Sequence, residues 1–354
     1  MTDFNPQMLT LARESRGITR SELGQRIGAS AGYVSKVEDG FLTPSDARLA
    51  EIAEALHYPV ALFTDPKRPA GIDSPCLYHR KRKTLPIKAL RLVEAKMHMT
   101  RFQVRRLLAE VEVDPPNTMH SLDPDEYGSP EKVAQALRRA WGVPRGPIRN
   151  MVELIEAAGG VVVTADFGHG KLDGLSCWEK DGPPFFYLNE SKPTDILRFT
   201  LAHELGHITM HFVPTPDPED EADRFAAEFL MPAAEIRGQL QNLQFARLGP
   251  MKTHWRVSMK NIITRAARLN AITSGRARSL YVQLSEKGYV SEEPYPLDPE
   301  RPKLLGAAFQ VHTQDHGYAL RELSDVVRLH DDELIAKFGA EIPASGVRHL
   351  HGVG

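Results

Sequence analysis

The stretch FTLAHELGHITMHF, residues 199–212, places three histidines and one glutamate in an otherwise apolar, helix-forming run. His203 and His207 are four residues apart, so on a helix both imidazoles leave one face about one turn from each other. That separation suits two nitrogen ligands of a tetrahedral Zn2+. Glu204 is rotated about 100° from His203, beside such a metal but poorly placed to ligate it. It is therefore positioned to take a proton from a metal-bound water, whose pKa zinc lowers towards about 7. Ile196, Phe199, Leu201, Leu205 and Ile208 give the helix a packing face, and Gly206 lets another backbone approach closely.

A third ligand is expected downstream, in DPEDEADRFAAEFLMP (217–232). Ala222, Phe225, Ala226 and Phe229 mark the packed face of this helix, and Glu219 lies on its edge, able to point inward. Asp223, four residues on from Glu219, shares that face and can hold the second nitrogen of a ligand histidine. Glu221 and Glu228 are rivals for the ligand position. His211 lies about 6 Å further along the helix axis than His207, and no glycine turns the chain before it. It is read as a neighbour of the site or a cap rather than a ligand.

RFTLAHELGHITMH followed by EADRFAAEFLMP resembles the ImmA/IrrE family of metallopeptidases, and the helical entry and PFFYLNE strand before them are similar as well. The resemblance covers roughly residues 130–270. It implies a zincin-like peptidase with His203, His207 and Glu219 as zinc ligands and Glu204 as base. Better-known members cleave transcriptional repressors.

The N-terminal residues read as short helices with tight breaks. A helix over 7–16 ends at Gly17. Thr19 caps one running to Ile27, Ser30 caps one ending at Gly40, and Ser45 opens one reaching Leu56. In TRSELGQRIGASAGYVSKVEDG (19–40), Leu23, Ile27, Val34 and Val37 supply a packed face, Gly24 is small where helices cross, and Gly28 makes the turn. This resembles the XRE/Cro-type helix-turn-helix domain over residues 6–63. The resemblance implies that Ser30 to Lys36 face the major groove, with Tyr33, Ser35 and Lys36 as base readers and Arg20 at a phosphate-contacting position. Ala31 and Gly32 offer nothing to a base edge, so specific binding calls for a homodimer or further contacts. The basic helix from about Pro86, with Arg80 to Lys83, Lys88, Arg91, Arg101, Arg105 and Arg106, could supply them.

Bulk properties exclude other classes. The 354 residues carry a formal net charge of −2, with 42% hydrophobic and 25% charged residues, ordinary values for a globular chain of two or three domains. Cys76 and Cys177 form no CxxC, and neither a signal segment nor a long apolar run is present. A cytoplasmic protein without membrane contact is expected.

The expected fold is mainly α with a small β-sheet. A five-helix helix-turn-helix domain occupies 1–65, a linker and basic helix 66–129, a zincin-like peptidase 130–271, and a helical region of unassigned role 272–354. The strands VVVTADF, DGLSCWEK and PFFYLNE suit a small antiparallel sheet. The segments 65–75 and 114–130 read as linkers, and residues 344–354 as a disordered tail. No repeat of fixed period stands out, although 318–339 echoes the N-terminal helix pair. His312, His316 and His330 are read as fitting no ligand spacing. The expected function is a transcription-linked regulator whose zinc endopeptidase cleaves a regulatory protein such as a repressor. The alternative is a DNA-binding regulator whose peptidase-like domain senses or oligomerises without proteolysis.

Overall fold

Asn5 accepts a hydrogen bond from the Met8 amide and opens α1 (Pro6–Ser15). Thr19, Ser30 and Ser45 cap α2 (Arg20–Arg26), α3 (Ala31–Glu38) and α4 (Asp46–Leu56) in the same way, each satisfying an amide that the helix leaves without an internal partner. The short α5 (Val60–Phe63) completes five helices around buried Leu9, Leu23, Val34, Val37, Ile52 and Leu62. Between α2 and α3 the Ala29 amide donates to the Gly24 carbonyl at 2.8 Å. A Cβ on Gly24 would lie 2.8 Å from the Ala29 carbonyl oxygen, and Gly28 sits at φ +62°. Both glycines are thus required by the tight turn. Glu38 is fully buried between Arg13 (2.5 Å) and Arg20 (2.6 Å).

The computed structural model describes residues 4–66, 86–179, 182–212 and 215–343. They fall into two units: residues 4–66, 86–113 and 303–343 form the first, and 114–179, 182–212 and 215–302 the second. Helix α6 (Ile87–Leu107) belongs to the first and continues as a 3-10 turn, Leu108–Glu110. Part of the basic character expected to add DNA contacts is turned into its own unit. Met97, Thr100, Arg101, Gln103 and Leu107 are buried, and Arg106 pairs with Asp65 at 2.5 Å. Of its basic residues Lys88 and Arg91 are exposed, while Arg80 to Lys83 and most of the 65–75 segment lie outside the described residues.

In the second unit, the 114–130 segment is pinned rather than free. Asn117 and Leu122 donate amides to Ala157 and Thr209, Trp141 Nε1 donates to the Thr118 carbonyl, and α7 (Pro124–Tyr127) follows. Helices α8 (Pro130–Ala140) and α9 (Met151–Glu156) precede β1 (Val161–Ala165), β2 (Gly174–Cys177) and β3 (Phe185–Asn189). The sheet is mixed, not antiparallel. In the order β1-β3-β2, β3 pairs parallel with β1 and antiparallel with β2. The strands were legible locally, but the crossover from β1 to the far side of β3 is a long-range choice.

Helices α10 (Thr194–Met210), α11 (Pro218–Leu230), α12 (Ala233–Leu240), α13 (Phe245–Trp255), α14 (Met259–Arg268) and α15 (Ser274–Glu286) follow. The Pro-rich stretch after α15 is tied down by its acids. Glu293 accepts from Lys252 Nζ at 2.9 Å and from the Met259 amide at 2.8 Å, and Glu300 pairs with buried Arg198.

Residues 272–302 and 303–343 do not form one region. The latter carry α16 (Leu304–Gln310), a π-helical turn Val311–Asp315, α17 (Leu320–Val327) and α18 (Asp331–Phe338), and they belong to the first unit. They stand in register with α1–α3 at a spacing of 300 positions. Gly17 and Gly317 both take positive φ, +68° and +71°. Glu22 and Glu322 both accept the amide three residues before them. Leu23 and Leu323, Ile27 and Val327, and Val34 and Leu334 are buried pairs. The echo in the sequence is therefore a second three-helix set. Its last helix opens on Asp331, Asp332 and Glu333, and the latter two pair with His57 at the end of α4 (3.1 Å) and Arg16 at the end of α1 (2.5 Å).

Candidate metal centre

Helix α10 carries His203, Glu204 and His207, all at most 4% exposed. Helix α11 crosses it at Gly206, where a Cβ would meet Phe225 Cδ1 at 3.1 Å and Ala222 Cα at 3.3 Å. That close approach is what lets the first turn of α11 reach the histidines. Pro218 and the Asp217 cap start α11. Glu219 and Asp223, one turn apart, then face α10 together.

The Nε2 atoms of His203 and His207 lie 3.0 Å apart. Glu219 Oε2 is 3.6 Å from the first and Oε1 is 3.6 Å from the second. One donor atom from each of the three residues lies within 4.8 Å of the others. Asp223 Oδ1 takes His203 Nδ1 at 2.9 Å. His207 Nδ1 meets His211 Nδ1 at 2.8 Å, and His211 Nε2 meets Glu221 Oε2 at 2.9 Å.

This network sets the tautomers. His211 donates Nε2–H to Glu221, so its Nδ1 accepts from His207 Nδ1–H, while His203 donates Nδ1–H to Asp223. Both Nε2 atoms then present lone pairs to each other, an arrangement that calls for a cation between them. Without a metal the cation is a proton. Burial opposes a charged His203, but the hydrogen bond to Asp223 and the nearby Glu219 and Glu204 carboxylates push its pKa up to about 9. Glu219 Oε2 is buried without a hydrogen-bond partner. Two imidazoles and one carboxylate with an open side fit a zinc ion of the hydrolytic kind.

The rival acids are accounted for elsewhere. Glu221 serves His211 and Thr215, and Glu228 pairs with Arg265 and Gln135. His211 is the C-cap of α10 and fully buried, a neighbour of the site. The sequence offered no sign of its bond to Glu221. It also missed Ser176, a buried residue of β2 whose hydroxyl donates to Glu204 Oε2 at 2.5 Å. Alternation along a strand says which side chains share a face, not which helix they meet. A small pocket bounded by Leu172, Asp173, Gly174, Phe199 and Thr200 opens onto His203 and Glu204. Among the described residues β2 stands at the edge of the sheet, beside β3.

In the first unit the residues singled out for DNA fall into two groups. Lys36 is exposed on α3, with Tyr33 half-buried under the Arg48 guanidinium at 5.7 Å. Arg20 is bound to Glu38 (2.6 Å) and Ser35 (3.1 Å), Ser35 donates to Asp39 (3.0 Å), and the Ser30 hydroxyl caps α3. Phe41, 83% exposed just after α3, was not singled out. No described helix is long and apolar enough to cross a membrane.

Comparison with protein families matches residues 155–266 to the IrrE N-terminal-like domain of peptidase family M78, and residues 7–64 to a helix-turn-helix domain. No curated protein matches the chain. The chain thus joins a region similar to a helix-turn-helix domain to one similar to the IrrE N-terminal-like domain, and the second match spans both α10 and α11.

Proposed function

We propose that this fusion is a DNA-associated regulator whose second unit is a zinc-dependent endopeptidase acting on a regulatory protein such as a repressor. His203, His207 and Glu219 hold the metal, Asp223 orients His203, and Glu204 is the catalytic base. The observation that carries the reading is the facing pair of imidazole Nε2 atoms with the Glu219 carboxylate 3.6 Å from each. When bound, zinc supplies Lewis acidity for activating water and polarising a peptide carbonyl.

The chain's own residues supply the rest. Glu204 accepts the proton of the attacking water and returns it to the leaving amine. Ser176, donating to Glu204 Oε2, keeps the carboxylate oriented. An extended substrate adds alongside the edge strand β2, a mode in which backbone hydrogen bonds bind and side-chain pockets select. The helix-turn-helix, with Lys36 and Tyr33 outward and Arg20 and Ser30 at its backbone-contacting end, brings the peptidase to DNA-bound substrates, as a homodimer where specificity requires it.

The test is a comparison of new protein N-termini in cells making the wild type or Glu204→Gln. The reading expects at least one cleavage product present with the wild type and absent with the variant. Identical N-terminal profiles, with regulation of target genes unchanged by the substitution, would leave a DNA-binding regulator whose peptidase fold does no proteolysis.

A further inference from the structure

Histidines 312 and 316 were read from sequence as fitting no ligand spacing, yet they are four residues apart and the structure brings them together. Their rings are 5.2 Å apart, and Glu110, at the end of the turn following α6, reaches His316 Nδ1 at 3.8 Å. One donor atom from each of Glu110, His312 and His316 lies within 4.8 Å of the other two.

Three independent observations mark this cluster. His312 is fully buried, and its Nε2 is hydrogen-bonded to the Leu107 carbonyl at 2.7 Å. A carbonyl only accepts, so the proton is on Nε2 and Nδ1 carries a lone pair; that Nδ1 is buried with no hydrogen-bond partner. A histidine held through one nitrogen by a backbone carbonyl, with the other left as a bare lone pair, is the usual preparation of a metal ligand. Secondly, the pair sits on the π-helical turn Val311–Asp315, closed by the His316 amide on the Val311 carbonyl at 3.2 Å. Such turns are rare and concentrate at functional sites. Thirdly, the fold does not demand imidazoles here: in the first three-helix set the corresponding positions are Ala12, on a regular α-helix, and Arg16, at its C-cap.

We infer that Glu110, His312 and His316 form a second divalent-metal site, in the DNA-binding unit, that clips the end of the α6 segment to the C-terminal helical set. Two imidazole nitrogens and one carboxylate select a transition ion such as Zn2+, Ni2+ or Co2+ over Mg2+ or Ca2+. Tyr318, whose hydroxyl donates to Glu110 Oε2 at 3.4 Å, steadies the acidic ligand. The site is structural or regulatory, and it ties the shape of the DNA-binding unit to metal supply.

The test uses the full chain carrying His203→Ala and His207→Ala, which removes the first site, titrated with Co2+ and followed by visible absorption and equilibrium dialysis. The expected result is about one bound equivalent with a coordination spectrum, lost on adding either His316→Ala or Glu110→Gln. Both added changes are at partly exposed side chains and leave the buried core intact, which far-ultraviolet circular dichroism would verify. Absence of bound Co2+ in the starting variant, or binding unaffected by both added substitutions, overturns the inference. Neither outcome bears on the peptidase centre, whose ligands are absent from every protein in the experiment.

Discussion

Asp223 Oδ1 holds His203 Nδ1 at 2.9 Å, while His207 is held through Nδ1 by His211, which is in turn held by Glu221. Both histidines of the HELGH run thus have their far nitrogens engaged and their Nε2 atoms turned to a common point. Residues that orient ligands in this way typically contribute about 10–100-fold to metal affinity. Asp223→Asn and His211→Ala are each expected to weaken zinc binding by about that factor without abolishing it, measured by competition with a chromogenic chelator.

Glu204→Gln should separate binding from chemistry. Metal content stays at the wild-type level while cleavage of a confirmed substrate falls by about 10²–10⁴-fold, the usual worth of a general base. Ser176→Ala, which removes the hydroxyl bond to Glu204, should lower kcat by roughly tenfold with metal content unchanged, as expected for losing a hydrogen bond to a charged group. Steady-state kinetics beside metal analysis distinguishes the two.

Protonation of His203 makes metal uptake pH-dependent. With its pKa raised to about 9 in the metal-free protein, zinc displaces about one proton from this residue at pH 7.5. Calorimetry in buffers of different ionisation enthalpy reads that number. Because the folded pKa lies above the unfolded value near 6.5, the stability this proton confers is fully present below about pH 6.5. It is lost as pH rises through about 9, at most about 3 kcal/mol for the metal-free protein. Urea unfolding of chelator-treated protein at the two ends of that window checks the sign. A metal-free protein more stable at the alkaline end, relative to His203→Ala, contradicts it.

Glu38 is enclosed by Arg13 and Arg20 with no side-chain exposure. Glu38→Gln leaves the buried Arg13 with only the half-exposed Glu14 at 3.4 Å as counter-charge and should destabilise the first unit by about 3 kcal/mol, in line with breaking a buried ion pair from one side. Differential scanning calorimetry should show the loss in one transition, with the peptidase unit's transition unmoved.

Lys36 is exposed on α3, whereas Arg20 is engaged by Glu38 and Ser35. Lys36→Ala should weaken DNA binding and reduce the slope of log K against log salt by about one. Fluorescence anisotropy at several salt concentrations measures it, and an unchanged slope would remove Lys36 from the interface.

Much of this was legible because it is local. The spacing of His203, Glu204 and His207, the acids at one-turn intervals on α11, and the capping residues Thr19, Ser30 and Ser45 all act within a few residues. What escaped the sequence acts at a distance. Nothing near Ser176 says that β2 lies against α10, and nothing in 303–343 says that it folds with α6. The second helical set keeps the glutamate back-bond, turn glycine and core positions but not its capping side chains or surface: Thr19 becomes Ala319, Ser30 becomes His330, Tyr33 becomes Glu333 and Lys36 becomes Ala336. Chemistry at those surface positions is what an eye for repeats looks for. The basic residues of α6 misled for the opposite reason, since Arg101 is buried and Asp65, forty-one positions before Arg106, supplies its acid.

The most direct test of the central claim is zinc bound per chain after dialysis, in His316→Ala protein with and without the further changes His203→Ala and His207→Ala. The first substitution removes the second metal site, so only the peptidase centre is counted. The account predicts about one equivalent that disappears when the two histidines of α10 are replaced. Equal zinc in both proteins, or none in either, would contradict it and leave HELGH as packing in a DNA-binding regulator.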